Sequence, residues 1–313
     1  MEYWWGVILW KSLKNKQIIM LNFIKNIIEN PEKFSEDDKL EMLEKVAEKK
    51  VTAEELAEII KFIKNHQAIK VDIPEAIDMA GTGGSWLPRI NTTTLSCIKL
   101  AQSWVKIAKH WNNASSWRFG SFDLIEVLGY KIPENKEEIL EEVEKNNVAF
   151  LYAKKFYPFF RHFWEVRKRY GKPTIFNIIW PLLNPANTDF QIIGCSFEDK
   201  MELIIETCRV LWRKNVLVVR WEDWLDEVTL SWKTKVFELS PRPTSPNGRG
   251  VIKNYYITPE DFGFETCELE EILTEKIEDK IEIAKNIIAW EKVGKFSDLV
   301  DLNVAVARKS LWK

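Results

Sequence analysis

The stretch Asp78-Met79-Ala80-Gly81-Thr82-Gly83-Gly84-Ser85, followed by Asn91-Thr92-Thr93-Thr94, decides how this chain is read. A short apolar run passes into a glycine-rich loop, and Asn91 with the threonines opens a helix. Such a loop presents backbone N–H groups, and the helix N-terminus adds positive potential, so phosphate is its natural ligand. A purely structural turn is the alternative. The motif is not a Walker A loop, which needs Gly-Lys-Ser/Thr, nor the GxGxxG dinucleotide fingerprint.

Similar short apolar runs recur on both sides. Strands are predicted at Ala76–Ala80, Val105–Ala108, Val148–Ala153, Gln191–Cys195, Val216–Arg220 and Val236–Leu239. Helices between them are predicted over Thr93–Ser103, Lys136–Asn146 and Glu198–Leu211. This alternation predicts an α/β fold with a mostly parallel central sheet. Upstream, Leu21, Ile24, Ile27 and Ile28 share one helical face and Pro31 closes the segment. Ser35 with Asp38, and Thr52 with Glu55, cap two more helices reaching about Lys49 and Asn65. A small all-helical domain over 20–73 is therefore expected. Phe156–Arg169 and Thr174–Leu183 look helical and interrupt the alternation, so 156–186 is assigned to that helical domain. The larger α/β domain takes 74–155 and 187–313. A polar loop, Ser240–Gly250, precedes a hairpin ending at Ile257, and Thr258-Pro259 starts another helix.

Two further loops carry chemistry. Lys109-His110-Trp111-Asn112 follows one predicted strand, with Gly120-Ser121 downstream; Lys109 can reach a phosphate or simply be solvated. The adjacent carboxylates Asp226 and Glu227 follow the strand Val216–Arg220 and suit Mg²⁺, although acidic loops are also commonly just solvated. All three loops fall at the carboxyl ends of predicted parallel strands, where open α/β sheets bind ligands.

Composition bounds the alternatives. With 313 residues, 46% hydrophobic and 29% charged, the chain is neither disordered nor collagen-like nor a coiled coil. A formal charge of −2 provides no basic field for nucleic acid or an anionic membrane. Four scattered cysteines without a CxxC pair, and only three histidines, argue against a zinc site or a disulfide framework and for a reducing compartment. The apolar runs fall short of the roughly 18 residues a membrane span needs, and Glu2 gives no basic start of a signal peptide. One count is abnormal: there are 12 glycines and 15 tryptophans, where ordinary usage gives about 22 glycines. Trp104 and Trp212 lie where a left-handed glycine normally ends a helix, Trp86 lies in a tight turn, and Trp221 and Trp224 bracket a loop after a strand.

These segments resemble the anthranilate phosphoribosyltransferase family. The family shows GTGGDG, Asn-x-Ser-Thr, KHGN, Gly-Ser-x-Asp, TIFNxxGPLxNPA and V-V-x-G-x-D-G-L-D-E. Here they read GTGGSW, NTTT, KHWN, GSFD, TIFNIIWPLLNPA and VVRWEDWLDE, in the same order between Met20 and Ala307. Tryptophan stands at family glycine positions 86, 104, 111, 180, 212, 221, 224, 232 and 290, and Trp117 joins the set. The pattern predicts UGA codons that the host reads as glycine, rendered as tryptophan, with residues 1–19 a leader upstream of a start at Met20.

The resemblance implies transfer of the phosphoribosyl group from phosphoribosyl pyrophosphate to anthranilate, with release of pyrophosphate, in tryptophan biosynthesis. It further implies Mg²⁺ as cofactor and a cytoplasmic homodimer with no nucleic-acid or membrane partner. By correspondence, Gly81, Thr82, Gly83, Gly84, Asn91, Thr93, Thr94, Lys109, Gly120 and Ser121 hold phosphoribosyl pyrophosphate. Thr93, Asp226 and Glu227 hold the metal; His110, Asn112 and Arg167 form the anthranilate site; Lys109, Asn112, Asp226 and Glu227 carry the chemistry. Besides the tryptophans, four residues depart from the family pattern: Ser85 for Asp, Thr93 for Ser, Tyr157 for His and Pro173 for Arg. A pyrimidine nucleoside phosphorylase, a nucleic-acid-binding relative and a pseudoenzyme are the competing readings.

Overall fold

Residues 19–47, 50–83, 87–111, 120–221, 226–241 and 250–311 are described by a computed structural model of the chain. Strands β1 (Ile77–Gly81), β2 (Ile107–Trp111), β3 (Val148–Tyr152), β4 (Phe190–Gly194), β5 (Asn215–Trp221), β6 (Thr234–Ser240) and β7 (Val251–Ile257) form one sheet. Their order is β3-β2-β1-β4-β5-β6-β7. The first five run parallel, and β6 and β7 add on antiparallel. Runs such as Val148-Ala149-Phe150-Leu151 are apolar throughout because helices cover both faces of a parallel sheet.

Three helices lead in: α1 (Ile19–Glu29), α2 (Glu36–Ala47) and α3 (Ala53–Asn65). The expected caps form, with Asp38 N–H donating to Ser35 Oγ at 3.1 Å and Glu55 N–H to Thr52 Oγ1 at 3.2 Å. Helix α4 (Thr92–Gln102) follows β1, α5 (Ser121–Val127) and α6 (Lys136–Asn146) precede β3, and α7 (Ala153–Phe156), α8 (Trp164–Tyr170) and α9 (Ile175–Leu182) precede β4. Helix α10 (Met201–Val210) links β4 to β5, and α11 (Ile277–Ile288) and α12 (Gly294–Leu311) close the chain. Phe23 of α1 meets Phe163, just before α8, with ring centroids 5.9 Å apart. One apolar cluster runs from Phe23, Leu43 and Ile60 through Phe160 and Phe176 to Ile193 and Val218 on the sheet. The leading helices and one sheet face thus share a core. The opposite face buries Ile98, Leu217 and Leu302. Among the described residues, no helix is long and apolar enough to cross a membrane.

Two expectations need correction. The second strand starts at Ile107, not Val105, because residues 104 and 105 close the preceding helix. Trp104 N–H donates to Ala101 O and Val105 N–H to Leu100 O, the paired bonds of a Schellman motif. The segment after Thr258 is a single 3₁₀ turn, Pro259–Phe262, stopped by Gly263 in the left-handed region. Lys49, the interior of the Ser240–Gly250 loop, and residues 1–18 lie outside the described residues.

Candidate active site

Strand β1 has β2 on one side and β4 on the other, so the chain's strand order reverses there, and the carboxyl ends of β1 and β4 are where such an open sheet binds its ligand. Gly81 and Gly194 face each other in register at those ends. Asp226 lies across both. A Cβ on Gly81 would collide with the Asp226 carboxylate, and one on Gly194 with the Asp226 carbonyl. Two glycines therefore let the loop after β5 fold down onto the switch point. Gly83, at φ +66°, turns the chain and donates its N–H to Asp226 Oδ2 at 3.0 Å. Thr82 is held by the β4 side, its N–H on Gly194 O at 2.9 Å and its Oγ1 accepting from Ser196 N–H at 3.0 Å.

Asp226 and Glu227 are both buried, and the Arg89 guanidinium faces the pair, 2.5 Å from Asp226 Oδ1 and 3.2 Å from Glu227 Oε1. Burial pushes the Glu227 carboxyl above its usual range, against the opposing pull of Arg89. Two carboxylates and one guanidinium leave a net negative charge in a low-dielectric site. Hard oxygen donors with that residual charge fit Mg²⁺, which commonly uses one or two carboxylates and completes its shell with water and substrate phosphates. No group of three or more metal-ligating side chains occurs among the described residues.

Opposite the acids is a cluster of donors. Lys109 on β2 is 3% exposed, donates to the Met79 carbonyl, and lies 3.4 Å from Thr93 Oγ1 at the start of α4. No carboxylate pairs with it among the described residues. Ser121 Oγ lies 3.1 Å from Thr94 Oγ1 and 3.5 Å from Asn91 Nδ2, and Gly120 caps α5. Helix α4 has no acidic residue in its first turn, so its N-terminal potential is uncompensated. Gly81, Gly83 and Arg89 thus meet Asp226, Arg89 meets Glu227, Lys109 meets Thr93, and Asn91 and Thr94 meet Ser121. Gly84, Ser85 and Asn112 lie outside the described residues.

His110 does not join them. Neighbouring strand residues point to opposite faces, and the His110 ring is buried on the helical side, its centroid 6.2 Å from that of Tyr157. Its N–H donates to Asp78 Oδ1 at 3.0 Å, and fully buried Asp78 also accepts from Gln191 Nε2 at 2.8 Å. Burial, then the Lys64 charge, lowers the imidazole from 6.5 to about 3. A depressed histidine stabilises the fold at neutral pH, and this is lost as pH falls from 6.5 toward 3, where only the unfolded chain takes the proton. Urea unfolding at pH 5 therefore shows about 2 kcal/mol less stability from this group than at pH 7. In His110→Asn that difference is absent; an identical pH dependence in both proteins contradicts it.

Arg167 on α8 lies with its guanidinium 5.4 Å from the Phe176 ring centroid, and burial lowers it to about 10. It has no ion pair among the described residues. Tyr157 is buried and its OH donates to Leu183 O at 2.7 Å, so this departure is used inside the fold. Pro173 is exposed. Asn177 completes a capping box with Thr174, and its Nδ2 lies 3.4 Å from Thr82 O, tying α9 to the glycine loop.

Sequence reading missed Arg89, Asp78, Gln191 and Ser196. Arg89 left a signal, as the one cation between the glycine loop and the helix start. The others act across long separations that no local pattern marks.

A model of the glycosyl transferase family, a/b domain, matches residues 73–310. The anthranilate phosphoribosyltransferase of Sulfolobus acidocaldarius is 33% identical over 274 residues, spanning 87% of this chain and 77% of that protein. The Endomicrobium trichonymphae enzyme of the same name is 38% identical over 235 residues; the match spans 74% of this chain and 66% of that protein's length. Among solved structures, the Thermus thermophilus anthranilate phosphoribosyltransferase superposes with TM-score 0.81 at 27% identity, covering 93% of this chain and 84% of that one.

Proposed function

Because the chain belongs to the anthranilate phosphoribosyltransferase family, we propose that the crevice transfers phosphoribose from phosphoribosyl pyrophosphate to the amine of anthranilate, releasing pyrophosphate. The observation that carries this reading is Lys109, a buried ammonium with no carboxylate within ion-pair distance among the described residues, lying by the start of α4. A buried cation of this kind calls for an anion. Lys109, Thr93, Thr94, Asn91 and Ser121 bind the phosphates, and the α4 N-terminus adds its potential. Gly83, with open space where a Cβ would stand, gives the ligand close approach, and Gly81 makes room for Asp226. Thr93, Asp226 and Glu227 hold Mg²⁺. When bound, that ion supplies Lewis-acid neutralisation of charge on the departing pyrophosphate.

The aryl amine carries a free lone pair at neutral pH, so positioning suffices and no strong base is required. Arg167 pairs with the anthranilate carboxylate, a charge-assisted contact that orients the amine, and Asn112 completes that site. On the burial described above, we reassign His110 from acceptor contact to neutral support beneath β2. Arg167→Ala is expected to raise the KM for anthranilate roughly 10-fold to 100-fold and to leave that for phosphoribosyl pyrophosphate nearly unchanged, as read by initial rates. Equal rises in both constants place Arg167 elsewhere. The family resemblance supports a cytoplasmic homodimer, and a helical domain over 20–73 with 156–186.

We also propose that the native polypeptide carries glycine at the nine family positions. Schellman motifs end in glycine at Gly129 and Gly263, with φ of 76° and 80°. The same paired bonds end in Trp104, Trp212 and Trp290, with φ of 64°, 60° and 64°. Trp111 and Trp221, at the carboxyl ends of β2 and β5, bury indole N–H groups that have no hydrogen-bond partner. Glycine at 111 and 221 removes both orphaned donors and widens the crevice for its ligand.

A further inference from the structure

The Arg89 guanidinium occupies the acid pair assigned to the metal. Its Nη2 is 2.5 Å from Asp226 Oδ1 and its Nη1 is 3.2 Å from Glu227 Oε1, so one planar cation bridges both carboxylates. The second arm is incomplete, since Nη1 makes no hydrogen bond despite its burial. Gly83 N–H holds the remaining Asp226 oxygen at 3.0 Å, which fixes the carboxylate whether or not the guanidinium is present. Side-chain exposure is 19% for Arg89 against 7% and 4% for Asp226 and Glu227, which places Arg89 on the solvent side. Arg89 stands between the glycine loop and α4, and the neighbouring Pro88 carbonyl is anchored by Thr274 N–H at 2.9 Å.

We propose that Arg89 is a built-in competitor for the divalent cation: it neutralises the Asp226–Glu227 pair in the substrate-free protein and must leave those oxygens when the metal binds. A guanidinium and a divalent ion on the same buried oxygens repel each other, whereas the ion alone balances the two carboxylates fully. A phosphate-rich ligand arriving with the metal gives the displaced guanidinium new acceptors in the same crevice. Metal uptake is thereby coupled to substrate uptake, and the substrate-free protein takes up the ion weakly. Arg89 is in this account a positioning residue. The inference rests on the reading of Asp226 and Glu227 as metal ligands.

The test is titration of substrate-free protein with Mn²⁺, following the free-ion paramagnetic resonance signal. Arg89→Gln should bind Mn²⁺ about tenfold or more tighter than the unsubstituted protein, and Arg89→Lys, which keeps charge but loses the fork, should fall between. Equal dissociation constants for the unsubstituted protein and Arg89→Gln overturn the proposal. Adding Asp226→Asn to Arg89→Gln should abolish the tight site; if Mn²⁺ still binds tightly, the acid pair is not the metal site and the underlying reading fails instead. Removing Arg89 leaves buried carboxylates uncompensated and can unfold the protein. Unfolding midpoints with and without Mn²⁺ then decide: rescue of Arg89→Gln by the ion supports competition, and absence of rescue contradicts it.

Discussion

Lys109→Met, in the protein with glycine at the family positions, lowers kcat/KM for phosphoribosyl pyrophosphate by about 10²-fold to 10³-fold with little loss of stability. Methionine matches the length of the lysine stem and brings no new polar group into the site. The ammonium has the Met79 carbonyl and the Thr93 hydroxyl as near neighbours and no carboxylate within ion-pair distance among the described residues. The buried Asp78, which its charge helps to keep ionised, retains hydrogen bonds from His110 N–H and Gln191. What disappears is the cation facing the phosphates, at the point where leaving-group charge grows. Initial rates and urea midpoints measured on the same preparation check both halves. A variant that keeps activity within about threefold, less than the loss of one well-placed donor, removes Lys109 from the phosphate site.

The second large effect is on stability. Replacing Trp104, Trp212 and Trp290 by glycine together raises unfolding free energy by about 3–6 kcal/mol, at roughly 1–2 kcal/mol for each left-handed residue relieved. The three motifs close different helices, so their effects add. Trp290 should give least, because Lys99 Nζ lies 4.5 Å from its ring centroid and that attraction is lost. Against a typical total of about 5–15 kcal/mol, the gain is readily seen in urea unfolding. No change, or a loss, means the indoles make contacts that offset the backbone strain. The same idea predicts glycine masses at these positions in peptides from the native organism; UGG codons there contradict it.

Much of the fold is legible in local pattern. The strand before the glycine loop and the helix after it form as read, as do the caps at Ser35 and Thr52, because each is set by residues a few positions apart. Strand β2 starts later than its apolar run because Val105, the residue after the helix-ending Trp104, bonds back to Leu100 O instead of to a neighbouring strand. Within the site, Lys109 at a strand's carboxyl end and the helix start at Asn91–Thr94 were legible by position, and the family resemblance alone assigned Thr93 and Thr94 to the phosphates. Their neighbour His110 differs: strand alternation sends its ring to the other face, against Tyr157, while its backbone N–H donates to the buried Asp78. The descent of Asp226 onto Gly81 and Gly194 joins residues over 140 positions apart in one case. Only the sheet order makes them neighbours, and Arg89 became visible only once the acids were placed.

The most direct measurement is product formation by the chain with glycine at positions 86, 104, 111, 180, 212, 221, 224, 232 and 290. It is supplied with Mg²⁺, phosphoribosyl pyrophosphate and anthranilate, and both pyrophosphate and anthranilate are followed. The account predicts one pyrophosphate released for each anthranilate consumed, with neither step proceeding when the other substrate or the metal is withheld. Untouched anthranilate together with orthophosphate-dependent cleavage of a pyrimidine nucleoside would contradict it and assign the crevice to a phosphorylase.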